Sequence, residues 1–261
     1  MNRSLLKTTA RKSLRGSLSQ KVSLPVWGGL AGLLACAAPL ATATNFSTMD
    51  FAAGYADGNL AGQNGWIQTG TNNIAGPVQV AAGTVTLKGQ MKLPQSTAKD
   101  VKINLSNPTT VFVNLNLTVT KTHSAGQGVF ALQTVAGGAG VAYGRLYIKS
   151  GGAGFNLGLN TSGGGVVYGA TELALNTPYK IVIAYESKSG NANDVGHVYV
   201  NPTGGAWTEW AAELTQTSTA AAEPASFKSL VLQQGQLASG TYNEVKITKM
   251  VIGDTPVDSG L

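Results

Sequence analysis

Cysteine is almost missing from this sequence: the 261 residues contain one, Cys36, and it sits in an apolar stretch near the N-terminus. Once that stretch is set aside, no disulfide framework, thiolate metal site or thiol nucleophile is available. Histidine is nearly as rare. His123 and His197 have no Cys, His or paired carboxylate at metal-ligand spacing, which excludes a zinc centre of the usual kind. Charged residues make up only 11% of the chain, and Arg145 is the one arginine beyond residue 21. A long hydrophobic run is lacking as well, because the apolar segment from Val26 is interrupted at Pro39, short of the roughly 20 residues a membrane span needs. No alternation of strand-like and helix-like segments is visible, which disfavours a parallel α/β sheet.

The N-terminal segment reads as a targeting signal. Arg3, Lys7, Arg11, Lys12, Arg15 and Lys21 form a basic region, an apolar core follows, and Ala41-Thr42-Ala43 supplies a small-residue cleavage site. The expected organisation is a signal peptide over 1–43 and a single domain over 44–261, with the mature protein secreted, periplasmic or at the cell surface. Leu33-Leu-Ala-Cys36 also resembles a lipobox, so a lipoprotein anchored through Cys36 is the alternative. Pro39 and the later A-x-A site favour ordinary cleavage. Removing the six basic leader residues from eighteen leaves twelve, against twelve acidic residues, so the mature chain is neutral. With no polybasic patch to neutralise phosphates, nucleic acid is excluded as an expected partner. No transmembrane segment is expected in the mature chain.

Glycine, valine, threonine and asparagine fill the remainder, the mixture of a turn-rich β-protein. Residues 111–121 alternate strictly: Val111, Val113, Leu115, Leu117 and Val119 share one face, while Asn114, Asn116, Thr118 and Thr120 share the other. Period two over that length means one buried and one solvated face, as in an antiparallel sheet. Similar runs recur at 129–135, 141–149, 155–160, 179–185, 196–201, 230–233 and 242–252, separated by clusters such as Gly137-Gly138 and Ser162-Gly. A further strand is expected at 44–51, near the last one, and brief helix at 209–215 or 219–224. So many strands require an all-β, two-sheet antiparallel sandwich or a barrel, because one open sheet cannot cover both its faces. Termini lying side by side suit a jelly roll.

The run Tyr55-x-Asp57-Gly58-Asn59-Leu60-x-Gly62-Gln63-Asn64-Gly65-Trp66 contains two strong turn dipeptides between aromatic anchors. Together with Gly154-Phe155-Asn156, Leu175-Asn176-Thr177-Pro178-Tyr179 and Val198-Tyr199-Val200-Asn201-Pro202, it resembles bacterial concanavalin A-like (laminin G-like) jelly-roll domains. The resemblance spans about Thr44 to Asp254. It implies a jelly-roll sandwich with a hairpin around 178–202 and an extracytoplasmic setting. It does not imply one activity, since lectins, hydrolases, lyases and structural modules share the scaffold.

The carboxylate string of glycosidases on this scaffold, Glu-x-Asp-x-(x)-Glu, is absent. The nearest pairs are Glu209/Glu213 and Asp254/Asp258; four strand residues span roughly 13 Å, too far for a retaining pair. Lyases of the scaffold use Gln-x-His and an arginine strand, and those strings are missing around Arg145, which reads as a surface-strand cation. The expectation is therefore a non-catalytic module that binds polysaccharide or another surface glycan, or serves as an extracellular structural domain. The alternative is a glycoside hydrolase or polysaccharide lyase whose carboxylates, among them Glu172, Glu186 and Glu244, converge from separate strands. Trp207 and Trp210, with Tyr168 after a glycine-rich loop, are the candidate sugar-stacking residues. No cofactor is expected. Asn191, Asn193 and Asp194 supply the oxygens for one candidate structural calcium site, although these residue types are also default turn formers.

Overall fold

A computed structural model describes residues 45–69, 77–88, 90–91, 100–105, 108–134, 141–162, 164–204, 207–234, 236–237 and 242–254. The expected leader, its cleavage site near Ala43, Cys36, the turn at Gly137-Gly138 and Asp258 lie outside the described residues.

The chain runs β1 (Asn45–Asp50), β2 (Gly58–Asn59), β3 (Ile67–Thr69), β4 (Gln79–Ala81), β5 (Thr84–Lys88), β6 (Gln90–Met91), β7 (Asp100–Asn104), β8 (Thr110–Lys121) and β9 (Gln127–Gln133). It continues through β10 (Ala142–Ser150), β11 (Phe155–Asn160), β12 (Val167–Tyr168), β13 (Pro178–Glu186) and β14 (Val195–Val200). After a single 3-10 turn (Trp207–Glu209) come β15 (Leu214–Thr217), β16 (Ser229–Leu232), β17 (Gln236–Leu237) and β18 (Glu244–Gly253). Nine strands form one sheet, ordered β15-β14-β13-β8-β18-β5-β4-β2, with β1 also on β18; seven form the other, ordered β12-β11-β10-β9-β16-β7-β3. Every pairing within these two sheets is antiparallel, and a small parallel pair joins β17 to β6. The architecture is the all-β, two-sheet antiparallel sandwich of jelly-roll type that the residue pattern predicts.

The alternation in β8 explains the core. Val111, Val113, Leu115, Leu117 and Val119 are all buried against the second sheet, whose Phe130, Leu132, Leu146, Ile148, Leu157 and Leu159 face them. Each such side chain contributes roughly 1.5–3 kcal/mol when fully removed from water. The first and last strands meet as expected: β1 pairs with β18 from Asn45↔Gly253 to Asp50↔Lys249. The turn dipeptides also behave as their chemistry dictates. Asn64 and Gly65 both take positive φ, 44° and 84°, while Asp57 accepts the Ala82 amide at 2.8 Å and ties the opening loop to the β4–β5 turn.

Two local expectations do not hold. The other face of β8 is not uniformly solvated: Phe112 and Asn114 are buried there, and Phe112 joins Val182, Ala184 and Tyr199 in a second, smaller apolar cluster on the outside of the nine-stranded sheet. The helix expected at 209–215 is the 3-10 turn followed by β15, and residues 219–224 are irregular. Four residues of β15 find a hydrogen-bonding edge on β14, which outweighs a weak local helix preference. Among the described residues no helix is long and apolar enough to cross a membrane.

Candidate functional site

The aromatic candidates fall on two different surfaces. Trp207 and Trp210 flank the 3-10 turn and lie over the outer apolar cluster of the nine-stranded sheet. Trp207 meets Phe112 edge-on at 5.2 Å between ring centres, and Trp210 meets Tyr199 at 5.4 Å. The Trp210 indole N–H donates to the Gly204 carbonyl at 2.6 Å. Both rings are half-buried, and together they cover apolar surface that the sheet would otherwise present to water. Beside Trp210 lies an open depression of about 560 Å³, lined also by Asn201, Pro202, Gly204 and Glu209. His197, stacked on Tyr199, is held below its usual pKa by burial, partly offset by the Glu186 carboxylate 3.6 Å away. Trp207→Ala is expected to destabilise the fold by about 2–3 kcal/mol, less than a fully buried Trp because the ring is half-exposed, as read in urea melts.

Tyr168 belongs elsewhere, on the edge strand of the seven-stranded sheet, and there it has company. Register places Tyr147 of β10, Gly158 of β11 and Tyr168 of β12 in one row, with Gly128 of β9 beyond Tyr147. A Cβ at Gly158 would stand 2.6 Å from Tyr168 Cε1, so only glycine lets the ring lie across the strand. Gly128 is similarly overlaid, by the Gln233 amide and the Tyr147 ring. Period two puts Arg145, Tyr147 and Lys149 on the same side of β10. Arg145 Nη1 donates to the Tyr147 hydroxyl at 3.2 Å, and the Lys149 ammonium sits 4.1 Å from the Tyr168 ring centre. The result is a half-exposed face of two tyrosines over a glycine floor, edged by two cations and by Asn156 and Asn160 on β11. Burial and the neighbouring Tyr147 hold the Tyr168 phenol above its ordinary pKa, so it stays a neutral donor.

Asn191, Asn193 and Asp194 lie in the loop between β13 and β14. Asp194 is fully buried. One of its oxygens accepts the Tyr185 hydroxyl at 3.1 Å, the other the Lys188 amide at 2.7 Å. Burial raises its pKa, opposed by those two hydrogen bonds. The backbone amides of Asn193 and Asp194 point instead at the Glu223 carboxylate, at 3.0 and 3.2 Å, and Asn193 Nδ2 bonds the Ser189 carbonyl. Asn191 is exposed, with Ala192 beside it at positive φ. Asn193 and Asp194 therefore close the loop, with Asp194 as its inner staple. Among the described residues no cluster of three His, Cys, Asp or Glu side chains is arranged to hold a metal.

The other carboxylates are dispersed. Glu172 accepts the amides of Ala153 and Gly154, which lowers its pKa. Glu213 accepts the Thr171 amide at 3.1 Å, and Glu244 accepts the Thr120 hydroxyl at 3.0 Å. Glu186 stands by His197 on the nine-stranded sheet, and Glu209 lines the depression beside Trp210. Most of these side chains pin backbone or loop groups on different elements. The residues that motifs do not reveal are Tyr147, Arg145 and Lys149 acting as a set. Their signal is present in the period-two spacing of residues 145, 147 and 149, although Arg145 alone reads as an isolated surface cation.

No family model and no curated protein matches the chain. Among solved structures it is similar to a bifunctional GH43-CE protein of Bacteroides eggerthii, with TM-score 0.50 and 12% identity over 80% of this chain and 27% of that longer one. Others are an endo-β-1,4-glucuronan lyase from the fungus Trichoderma reesei (TM-score 0.46, 9% identity, 78% and 95% covered) and the family 7 alginate lyase AlgAT5 (0.47, 12%, 72% and 93%). At such identities the likeness to the first is one of fold, and that fold is the β-sandwich.

Proposed function

We propose that the chain is an exported, non-catalytic β-sandwich module of the concanavalin A-like type that binds glycan on the outer face of its seven-stranded sheet. The observation that carries this reading is the row Tyr147–Gly158–Tyr168, in which two half-exposed rings cross a glycine floor beside Arg145 and Lys149. Sugars present apolar C–H faces for stacking and hydroxyls for hydrogen bonding, and this surface offers both kinds of partner. The non-catalytic part is supported by the engagement of Glu172, Glu213 and Asp194 in holding amides. Trp207 and Trp210 take a packing role in this reading, with the depression at Trp210 as a second, lesser contact. The setting proposed is outside the cytoplasm, after cleavage near Ala43.

A glycan array probed with the exported protein tests this. Retention of at least one polysaccharide class is expected, with Tyr147→Ala and Tyr168→Ala each weakening it about tenfold, in line with about 1.4 kcal/mol of lost stacking. Unchanged far-UV spectra would separate that loss from unfolding. If no glycan is retained, a structural role in an extracellular layer takes the place of this reading. The Arg145–Tyr147 hydrogen bond favours one alternative, a polysaccharide lyase using tyrosine as the proton-transfer group beside an arginine. Ultraviolet absorbance from unsaturated uronate, growing on incubation with polyuronates, would establish it.

A further inference from the structure

We infer that the Tyr147–Tyr168 face takes an acidic polysaccharide, one bearing carboxylate or sulfate groups along its length. This rests on the glycan reading of that face and adds the class of ligand. Three cations lie on the same side of the seven-stranded sheet. Arg145 and Lys149 flank Tyr147 on β10. Lys102 stands on β7, level with Val231 of β16 and Ala131 of β9, the strand next to β10. The mature chain is neutral and Arg145 is its single arginine, so this grouping is not the overflow of a basic surface.

Among the described residues none of the three cations is paired with a carboxylate, and two carry an unsatisfied buried nitrogen. Lys102 is 2% exposed, and among the described residues its ammonium has no hydrogen-bond acceptor. The buried Nε of Arg145 is in the same condition, while its Nη1 donates to the Tyr147 hydroxyl. The ion pairs among the described residues are Lys88–Glu244 and His197–Glu186, and neither involves Arg145, Lys149 or Lys102. A buried cation without a counter-charge is destabilising, and the protein holds it more readily when an anion arrives from outside. A neutral sugar leaves that imbalance as it is, whereas a uronate or sulfate ester on the face brings negative charge to the half-exposed Arg145 and Lys149 side chains and lowers the cost of the buried charge nearby. An acidic residue, Asp100, shares the face two positions from Lys102 on β7. Burial pushes its carboxyl up to about 7, so it opposes an incoming anion only weakly at mildly acid pH.

The test compares charged and neutral forms of the same backbones, by titration calorimetry on the exported protein. Polygalacturonate is set against its methyl ester, and dextran sulfate against dextran. Binding to at least one acidic polymer about tenfold tighter than to its neutral partner, and weakening as salt rises, is the expected result. Arg145→Gln should reduce the acidic affinity about tenfold and the neutral affinity by much less, through its hydrogen bond to Tyr147. Lys102→Met should weaken acidic binding while raising the melting temperature of the free protein, a pairing of effects that loss of structure does not produce. The two polymer pairs also distinguish carboxylate from sulfate. Equal affinity for charged and neutral forms overturns the acidic inference while leaving glycan binding in place. Absence of binding to any glycan on the array and to all four polymers removes both. Wild-type acidic affinity in both variants overturns the placement on this face.

Discussion

Asp194→Ala is expected to lower the stability of the folded protein by about 3–4 kcal/mol, which for a domain of this size corresponds to a melting temperature roughly 8–12 °C lower. The carboxylate is fully buried and accepts from two donors, the Tyr185 hydroxyl and the Lys188 amide. Tyr185 is itself fully buried, edge-on to Phe227 at 5.0 Å, so its hydroxyl has no water to turn to when the acceptor is removed. Leaving a buried donor unsatisfied costs about 1–3 kcal/mol, and here two are orphaned together. The damage is local in origin but sits in the β13–β14 hairpin, whose β13 pairs with the long central β8 along its whole length. Asp194→Asn keeps the volume and an oxygen for Lys188 and should lose less than half as much. A denaturant midpoint for Asp194→Ala within experimental error of wild type would show that the loop is not stapled in this way. Repeating the melts with calcium and with a chelator tests the cation reading of Asn191, Asn193 and Asp194. A midpoint that rises with calcium supports it, and identical midpoints leave the staple as the role of Asp194.

A second large effect concerns pH. The Asp100 carboxyl is raised from 3.8 to about 7, chiefly by burial and partly opposed by the Gln234 amide, which donates to it at 2.7 Å. A carboxyl whose folded pKa lies above its unfolded value binds its proton more tightly in the native state. Its contribution is therefore fully present below about pH 4 and is lost as pH climbs toward 7. Every tenfold difference in proton affinity between the folded and unfolded chain is worth about 1.4 kcal/mol, and partial exposure of the side chain reduces the total to roughly 2–4 kcal/mol. Urea midpoints corrected for the other acids should thus fall between pH 4 and pH 7 and level off above. Asp100→Asn should flatten that slope and be the more stable protein at pH 8, by up to the same roughly 2–4 kcal/mol. A slope that persists in the variant would assign the titration to another group, with Asp194, whose pKa is also raised, the next to examine.

Much of the scaffold can be read from individual residues. The alternation at Val113, Leu115, Leu117 and Val119 dictates the buried face of β8, and the expected strand at 155–160 coincides with β11 as observed. The pairing of the first and last strands follows from their length and from the requirement that a jelly roll bring its ends together. The short strands β2 to β7 are harder, since two to five residues carry too little periodicity and, apart from the β4–β5 hairpin, their hydrogen bonds come from partners far along the chain. Phe112 breaks the expected solvated face because Trp207, nearly a hundred positions later, supplies its cover.

The candidate site divides along the same line. Tyr168 is legible as an aromatic residue after a glycine-rich loop, and the Trp pair as an aromatic cluster. Their separation onto opposite sheets is not, because whether an aromatic ring stacks on a ligand or seals a cluster depends on what lies beneath it. Asn191, Asn193 and Asp194 carry the composition of a cation loop, yet the direction of the Asp194 carboxylate is set by Tyr185 and by the amide of Lys188.

Residue order and composition alone fix an all-β chain whose residues 44–261 carry balanced charge and no cysteine and whose strands must close into two layers, because period-two patterning and turn chemistry act over a few neighbouring residues. The face built from Tyr147, Gly158, Tyr168 and the cations Arg145, Lys149 and Lys102 is different in kind. It exists through lateral register between β7, β9, β10, β11, β12 and β16, and register is set by the burial of a shared core rather than by any one strand.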